Sequence, residues 1–365
     1  LLILWGIVLL LFLDSSIYLS LKMRSAMVND IILYVPKKNY LNEATGYYCN
    51  FVLEGLGCPD AKISYKLNEL SKHEFIFVLD AKSLILVKLR YPMKKVIVWY
   101  QGVVPEEALM MFNSKVKFYY WRIFEWFSLQ LSYFNLFVSS AMLEHYKKKY
   151  GYSKNNYQII PCFNKEFSEK KIHDNQSKYR EKTFVYAGSL HKWQCIDETL
   201  TFFKSIQHHF PEAKLLFLTF NVDEAKKLVE QHRVSNVEIR RVSEGEVDEY
   251  IAKCKYGFLI REDNTVNNVA TPTKMSTYLS VGTIPIMTDA IHDFNSKILT
   301  KYSFCYSQTQ SIENVIDDFC VQMNADIDVN ELVSEYHHIF NVYYNRNMYV
   351  ESIKAKFACM LNRKD

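Results

Sequence analysis

The sequence predicts an α/β protein built from two parallel sheets, and three observations support this fold class. Short apolar runs of strand length alternate with longer stretches of helical length in both halves of the chain. This alternation is typical of βαβ units, in which parallel strands are buried between helices. A strongly polar stretch at residues 164–182 separates the two series. The length of 365 residues also favours two domains over a single core.

Five apolar runs in the first half are predicted to be the strands of one sheet. They lie at residues 31–35, 75–79, 96–100, 136–138 and 158–160. The stretches between them are long enough for the crossover connections that parallel strands require. Residues 164–182, rich in Lys, Glu, Asn and Ser and without apolar periodicity, are the expected linker.

The second half repeats this alternation. Strands are predicted at residues 183–186, 214–219 and 237–240, and helices at residues 194–209, 223–232 and 246–254. The last stretch, residues 329–361, is predicted to be helical and is rich in aromatic residues.

Residues 256–288 carry the most informative functional pattern. A strand is predicted to end at Ile260, a loop rich in Asn follows, a helix opens at Thr271 and Pro272, and Gly282 closes it. In a parallel sheet this order brings the loop and the first helical amides to the carboxyl edge of the strands, where ligands bind. Unpaired amides and Lys274 in the first turn suit a phosphate. Taken alone, the pattern is equally compatible with a structural N-cap followed by a surface lysine.

Composition excludes some functional classes. The 44 basic and 40 acidic residues leave a formal charge of only +4, which does not indicate nucleic-acid binding. The eight cysteines are scattered, with no Cys-x-x-Cys pair and no Cys/His cluster at zinc spacing. They favour free thiols in a reducing compartment over a disulfide framework.

Residues 1–24 form an apolar segment followed by two cations. Residues 1–13 are apolar apart from Gly6, and about 20 residues of helix could just span a bilayer. Lys22 and Arg24 follow, so the positive-inside rule favours a cytoplasmic location for the rest of the chain. We expect this segment to associate with a membrane, with a buried helix or a fragment end as the alternatives.

Three blocks, in order along the chain, carry a family resemblance. They are residues 98–107 around Gln101 and Gly102, residues 184–195 around Gly188, and residues 256–288. Together they resemble the retaining glycosyltransferases of family 4, in particular bacterial members that build capsular, exopolysaccharide or lipopolysaccharide chains. The resemblance runs from about Asp30 to the C-terminal helix. The third block matches the family pattern at Gly257, Arg261, Val266, Asn267, Val269, Ala270, Pro272, Thr273, Lys274, Tyr278, Leu279, Gly282 and Pro285.

The resemblance implies a GT-B fold, in which two doubly wound Rossmann-like domains face a cleft. The first, acceptor-side domain is expected at residues 25–163, the linker at 164–182 and the nucleotide-sugar-binding domain at 183–340. Residues 341–365 are expected to form a helix that returns to the first domain. The implied function is sugar transfer from a nucleotide-sugar donor to a polysaccharide or lipid-linked glycan, in the cytoplasm at the inner face of the membrane.

The resemblance also implies site residues. Glycosyl transfer releases a diphosphate, and cations are suited to stabilise that leaving group. Arg261 and Lys274 are expected to carry this charge, while Gln101 and Gly102 lie beside the sugar and diphosphate. The residues expected to bind the donor are Gly188, Ser189, Lys192, Gln194, Asn267, Asn268, Pro272, Thr273 and Thr277. No cofactor or metal is expected; Asp326 and Asp328, in a late connector, are interpreted as helix-capping residues.

Several positions depart from the family pattern. Gln101 replaces a histidine, and Ser189 and Gln194 stand where an arginine and a lysine are usual, so Lys192 is expected to substitute. Thr277 replaces a glutamate whose carboxylate accepts hydrogen bonds from the donor ribose, and Val269 replaces an upstream glutamate.

These departures favour an alternative function: a degenerate member that binds a partner or a glycan without catalysis. A GT-B nucleotide-sugar epimerase is a weaker rival, because the block at residues 266–274 is typical of transferases.

Two further features remain open at the level of sequence. Residues 115–134 combine basic and aromatic side chains, which suits either a helix at a lipid headgroup layer or a core helix. Glu106 and Glu107 follow Pro105, which suits either helix capping or acceptor binding.

Overall fold

The computed structural model describes residues 30–38, 41–243 and 245–362, and these form two separate six-stranded sheets whose strand pairs are all parallel. The predicted α/β architecture of two parallel sheets is therefore confirmed. No helix in these residues combines the length and apolarity needed to cross a bilayer. The expected membrane-associated segment at residues 1–24 lies outside the described part of the chain.

The first sheet has the strand order β2-β1-β3-β4-β5-β6. Its strands are β1 Ile31–Tyr34, β2 Lys62–Ser64, β3 Phe75–Val78, β4 Lys95–Tyr100, β5 Phe134–Phe137 and β6 Tyr157–Ile159. The sequence did not predict β2, because this three-residue edge strand exposes Lys62 and Ile63 and has no apolar run. The connecting helices are α1 Glu43–Gly55, α2 Ala81–Arg90, α3 Val104–Phe112, α4 Lys115–Leu131 and α5 Ser140–Tyr150.

The second sheet has the order β12-β11-β10-β7-β8-β9. Its strands are β7 Thr183–Ala187, β8 Lys214–Leu218, β9 Val237–Arg240, β10 Tyr256–Leu259, β11 Ile284–Thr288 and β12 Phe304–Tyr306. The chain reverses its direction of travel across the sheet between β7 and β10, and such a switch point opens a crevice for ligands at the carboxyl ends of the strands.

The remaining helices surround the second sheet or follow it. They are α6 Glu169–Asp174, α7 Ile196–His209, α8 Val222–His232, α9 Val247–Ile251, α10 Thr265–Asn268, α11 Lys274–Ser280, α12 His292–Lys297, α13 Ile312–Met323, α14 Val329–Val342 and α15 Arg346–Leu361.

The polar stretch between the sheets is more ordered than its composition indicated. It contains α6, which packs against α14, and a 3-10 turn at Gln176–Arg180. The buried Lys178 Nζ donates to the Val281 carbonyl at 2.8 Å, and the Tyr179 hydroxyl donates to the Gly282 carbonyl at 2.8 Å. Its function as a hinge stays a prediction.

The C-terminal stretch forms two helices rather than one. The helix breaks at residues 343–345, where the Asn345 side chain accepts from the Met348 amide and starts α15. Helix α15 then packs against α1 of the first half, and Phe357 lies edge-on to Phe75. The predicted return of a C-terminal helix to the first domain is confirmed.

Hydrogen bonds also join the two halves beside the cleft. The Ser139 hydroxyl donates to the Val269 carbonyl at 2.6 Å. The Thr271 hydroxyl donates to the Val138 carbonyl at 3.2 Å and accepts from the Cys162 amide at 3.0 Å. These bonds tie the loop after β5 and the loop after β6 to the segment that precedes α11.

Candidate functional site

A cleft of about 600 Å³ lies between the two sheets. Its walls come from loops at the carboxyl ends of strands in both halves: those after β1, β4 and β6 on one side, and those after β7, β8, β9 and β10 on the other. The cleft thus occupies the edge where parallel sheets present loops and helix starts to ligands.

Most of the predicted site residues meet in this cleft. Those that line it are Gln101, Gly102, Gly188, Ser189, Gln194, Arg261, Asn267, Pro272, Thr273, Lys274 and Thr277. Lys192 and Asn268 do not line it. Lys192 is exposed at the first position of a 3-10 turn, Lys192–Gln194, whose last residue reaches the cleft instead. The structure therefore gives no support to Lys192 as a substitute for the lysine of the family pattern.

Arg261 and Lys274 approach each other through one amide oxygen. Arg261 follows β10, and its Nη2 donates to Gln194 Oε1 at 2.7 Å, while its Nη1 donates to the Ile260 carbonyl at 2.8 Å. Lys274 Nζ donates to the same Gln194 Oε1 at 2.8 Å and lies 3.9 Å from the centre of the Tyr186 ring. The neutral side chain of Gln194 thus accepts a hydrogen bond from each of the two cations.

The two cations have no carboxylate partner among the described residues. Both side chains are buried, and burial lowers the pKa of Arg261. Burial, and next the Arg261 guanidinium, hold the pKa of Lys274 well below its usual value. Buried cations without an ionic partner destabilise a fold by several kcal/mol. Such an arrangement at a cleft indicates a site for an anion.

Gly188 makes room for Lys274. Its φ of +150° is rarely adopted by residues with a side chain, and a Cβ atom here would lie 2.7 Å from Lys274 Cε. We predicted that Gly188 lets the backbone approach a ligand; in the structure, the missing side chain lets the lysine reach Gln194.

The helix after the Asn-rich loop begins later than predicted. It starts at Lys274 instead of Thr271 and has seven residues. Thr271 is not its N-cap, because the Thr271 hydroxyl bonds to the first half of the chain, and Thr273 at the N-cap makes no capping hydrogen bond. The predicted closing role of Gly282 is confirmed, since it has a φ of +72° just beyond the helix. Two short turns provide only a small dipole, so the positive charge of the site comes mainly from side chains.

Thr277 lines the cleft, but its hydroxyl group already donates a hydrogen bond within the helix. It donates to the Thr273 carbonyl at 3.1 Å, so only oxygen lone pairs remain for a ligand. Val269 is buried, and its carbonyl accepts from Ser139 across the two halves. This position therefore joins the halves and presents no side chain to the cleft.

Glu106 and Glu107 have separate surroundings. Glu106 forms an ion pair with Lys149 Nζ at 2.8 Å. Glu107 lines the cleft, and its carboxylate lies over Gly102 in the space that a Cβ atom there would fill. Burial, and next the repulsion of Glu125, raise the pKa of Glu107 to about 7. A carboxyl group at the cleft is thus able to exchange a proton near neutral pH.

Sequence reasoning missed two residues of the site, of which one lines the cleft and the other is buried beneath Lys274. Asn164 lines the cleft, and its buried Oδ1 has no hydrogen-bond partner among the described residues. It was assigned to the linker because the stretch that follows is polar. Tyr186, on β7, supplies the ring beneath Lys274 Nζ; its position two residues before Gly188 was the only available signal.

No group of three His, Cys, Asp or Glu side chains in the described part of the chain is arranged to hold a metal ion. Asp328 accepts from the Asn330 and Glu331 amides and caps α14, so its predicted capping role is confirmed.

Solved structures with the same architecture are GT-B glycosyltransferases. HepE from Anabaena, in complex with UDP and glucose, is similar with a TM-score of 0.61 and 10% identity, over 92% of this chain and 100% of that chain. WaaG, a glycosyltransferase involved in lipopolysaccharide biosynthesis, is similar with a TM-score of 0.59 and 9% identity, over 88% of this chain and 99% of that chain. The predicted GT-B fold is confirmed.

Longer proteins share the fold as well. TarM from S. aureus, solved with fondaparinux, α-GlcNAc-glycerol and UDP, is similar with a TM-score of 0.57 and 13% identity over 79% of this chain. The chain spans little more than half of TarM, 55%, and of pneumococcal GtfA, 59%. At such identities these likenesses describe the fold alone. No protein family matches the sequence, and no curated protein matches it.

Proposed function

We propose that this protein is a retaining, metal-independent glycosyltransferase of the family 4 type. It moves a sugar from a nucleotide-sugar donor to a polysaccharide or lipid-linked glycan acceptor. The observation that carries the proposal is the pair of buried cations, Arg261 and Lys274, which share Gln194 Oε1 at the cleft and lack a carboxylate partner among the described residues. A nucleoside diphosphate supplies the negative charge that this pair lacks.

The reaction breaks the bond between the anomeric carbon and the phosphate oxygen, and the diphosphate leaves with the electron pair. Arg261 and Lys274 stabilise the charge that develops on it, and preorganised groups of this kind contribute about 3–4 kcal/mol each to transition-state binding. The acceptor hydroxyl forms the new bond on the same face of the sugar, and its proton passes to the departing phosphate oxygen. The configuration at the anomeric carbon is thereby retained.

Two cations at the leaving group also support metal independence, because they can neutralise a diphosphate without a divalent ion. The acceptor is assigned to the wall of the first half at Glu107, with Gln101 and Gly102 beside the transferred sugar and the diphosphate. A cytoplasmic location at the inner face of a bacterial membrane is proposed from the apolar segment at residues 1–24 and the cations that follow it.

The test is an assay of donor cleavage with UDP-, GDP- and CMP-sugars in the presence of EDTA. We expect one donor class to release its nucleotide, and NMR of the product to show the anomeric configuration of the donor. Lys274→Met should reduce turnover by at least about tenfold. Lys178→Met, which removes another buried lysine that donates to the Val281 carbonyl and does not line the cleft, is the matched control. Activity that is lost in EDTA and restored by manganese, or an inverted product, would contradict the proposal.

One observation favours a second candidate, a binding protein without turnover. Gln194 and Thr277 present neutral groups where the family pattern has a lysine and a glutamate, and the Thr277 hydroxyl proton bonds to its own helix. If the protein binds no nucleotide and Thr277→Glu creates binding, this second candidate replaces the first.

A further inference from the structure

Helix α4 presents its apolar side to solvent. Its buried residues are Glu125, Ser128 and Leu129, whereas large apolar residues on the opposite side recur at a spacing of three to four and are exposed. These exposed residues are Val116, Tyr119, Tyr120, Ile123, Trp126, Phe127 and Leu131. An amphipathic helix of a globular protein normally turns its apolar stripe to the core, so the reversed orientation indicates a surface that contacts something else.

Helix α2 and the turn after it extend this apolar surface. Leu89 is 78% exposed and Met93 is 91% exposed. Helix α2 packs beside α4, and a groove of about 440 Å³ lies between them. The groove is lined by Ile85, Lys88, Leu89, Pro92, Ile123, Phe124, Phe127 and Leu131. We name the outward surface of residues 85–93 and 115–131 the α2–α4 face.

The α2–α4 face is bordered by positive charge. Within residues 81–95 and 113–134, all described by the structure, the only acidic residue is Glu125. Glu125 is buried and paired with Lys149 Nζ at 3.0 Å, so it contributes no negative charge to the surface. The same two ranges contain eight basic residues, Lys82, Lys88, Arg90, Lys94, Lys95, Lys115, Lys117 and Arg122. Lys95 forms an ion pair with the exposed Glu74 at 2.9 Å, so the other seven carry the positive charge of the border.

We propose that the α2–α4 face docks on the surface of an anionic lipid bilayer. Tyr and Trp rings with an apolar body and a polar tip suit the headgroup layer, and the aliphatic side chains between them can enter the acyl boundary. The flanking lysines and arginines complement anionic headgroups. The surface is apolar along its centre and basic at its borders, which is the distribution expected of a helix that lies in the plane of a membrane interface.

The position of α3 connects this face to the cleft. Helix α3 begins next to the cleft-lining Gly102 and ends at the exposed Phe112, where α4 follows. Nine residues of helix are about 13 Å long, so docking brings the bilayer close to the acceptor side of the cleft. The use of this geometry for a lipid-linked acceptor rests on the proposed function, whereas docking itself does not.

The test measures binding of the full chain to vesicles of phosphatidylcholine with or without phosphatidylglycerol. We expect tighter binding to the anionic vesicles than to the neutral ones, with a loss of about fivefold for each lysine neutralised on the face. Lys115→Gln/Lys117→Gln should therefore bind about 25-fold more weakly. Lys226→Gln/Lys227→Gln, which removes two exposed charges from α8, is the matched control and should bind like the parent. Ile123→Ser/Phe127→Ser should also bind more weakly, with an unchanged circular dichroism spectrum.

A second readout locates the contact on α4. In a protein with Trp5→Phe and Trp121→Phe, lipids with brominated chains should quench part of the remaining tryptophan fluorescence, and Trp126→Phe should remove that part. Trp193→Phe, which changes a tryptophan at the cleft, should leave the quenching by brominated lipids unchanged. The proposal is overturned if both sets of face variants bind vesicles like the parent. It is also overturned if the same substitutions abolish a concentration-dependent dimer instead, because the face then contacts a second copy.

Nucleotide binding by these variants separates the two proposals. Because the α2–α4 face lies outside the cleft, the variants should bind nucleotide sugars as the parent does. Loss of vesicle binding with nucleotide binding intact supports docking, and vesicle binding by a protein that binds no nucleotide would contradict only the proposed transferase.

Discussion

At the scale of single residues, Arg261 and Lys274 are unfavourable for folding until an anion binds. Both are buried, and the nearest compensation is the oxygen of a neutral amide, Gln194. A well-packed apolar residue of similar volume is often more stable at such a position than an uncompensated charge. The same residues are therefore expected to oppose stability and to favour ligand binding.

Lys274→Met tests this opposition. The substitution keeps the length of the side chain and removes one of two neighbouring buried cations, so the free energy of unfolding without ligand should rise by about 1–3 kcal/mol. Affinity for a nucleoside diphosphate should fall by at least about tenfold, because a charge-assisted contact is lost. Thermal unfolding with and without nucleotide measures both effects. A variant that is less stable and binds nucleotide normally would mean that Lys274 is a structural residue.

Thr277→Glu tests the position expected to contact the ribose. A carboxylate here can accept hydrogen bonds from ribose hydroxyls, and affinity should increase by about tenfold to a hundredfold. Calorimetric titration of the parent and the variant with the same nucleotide provides the comparison. If a measurable affinity of the parent responds neither to Thr277→Glu nor to Lys274→Met, the helix α11 does not hold the donor.

Glu107→Gln should change how stability depends on pH. The pKa of Glu107 is raised to about 7 in the folded protein, chiefly by burial, so the folded state binds a proton that the unfolded state releases. The stability contributed by this proton is present below the unfolded pKa and is lost as the pH rises through about 7. The variant should therefore match the parent near pH 5 and exceed it near pH 8, by about 1–3 kcal/mol. Parallel pH profiles of the two proteins would contradict this assignment.

Sequence reasoning brought Arg261 and Lys274 to the cleft, but it misplaced Lys192 and did not predict the partners of the two cations. Arg261, Lys274 and Gly188 stand at strand ends or helix starts, and this local position was enough to bring them to the cleft. The partners depend on tertiary contacts between segments that are distant in the sequence. They include the hydrogen bond to Gln194, the ring of Tyr186 beneath Lys274 and the Asn164 oxygen that has no partner among the described residues. No spacing along the chain encodes that arrangement.

At the scale of elements, the return of α15 to the first half depends on a glycine in α1. A Cβ atom at Gly55 would lie 2.8 Å from Ile353 Cβ and 3.0 Å from the Val350 carbonyl oxygen. The two helices approach this closely because Gly55 has no side chain. Gly46, in the same helix, has no atom within 4 Å of the position that its Cβ would take.

Substituting alanine at these two glycines separates packing from helix propensity. Gly46→Ala should stabilise the protein by up to about 1 kcal/mol, because alanine favours the helix and meets no neighbour. Gly55→Ala should destabilise it by about 1–3 kcal/mol, because α15 must move away. Urea denaturation of both variants gives the comparison. Equal effects at the two sites would show that α15 does not pack on α1 as described.

The elements that sequence reasoning missed or misplaced have physical explanations. Strands β2 and β12 are three-residue edge strands, and short edges carry little hydrophobic signal. The start of α11 was misplaced because Thr271 looks like an N-cap but bonds across the two halves. The aromatic residues of α4 are equally compatible with a core helix and with an interfacial helix. Only the exposure of these residues in the structure distinguishes the two alternatives.

At the scale of the whole molecule, two parallel sheets bring their carboxyl edges to one cleft. The alternation of strands and helices predicted both sheets, and the positions of β4, β7 and β10 place the family-like loops on the walls of the cleft. The relative placement of the halves depends on long-range contacts such as Ser139 with Val269 and α1 with α15. These contacts join residues more than a hundred positions apart, so no local pattern predicts them.

The central claim is that the buried pair of cations holds a nucleoside diphosphate. Calorimetry of the parent with UDP-, GDP- and CMP-sugars in EDTA, repeated with Arg261→Met/Lys274→Met, tests it most directly. We expect one donor class to bind the parent without a metal ion and the double variant to lose that binding while remaining folded. Undiminished binding by the folded double variant would contradict the account.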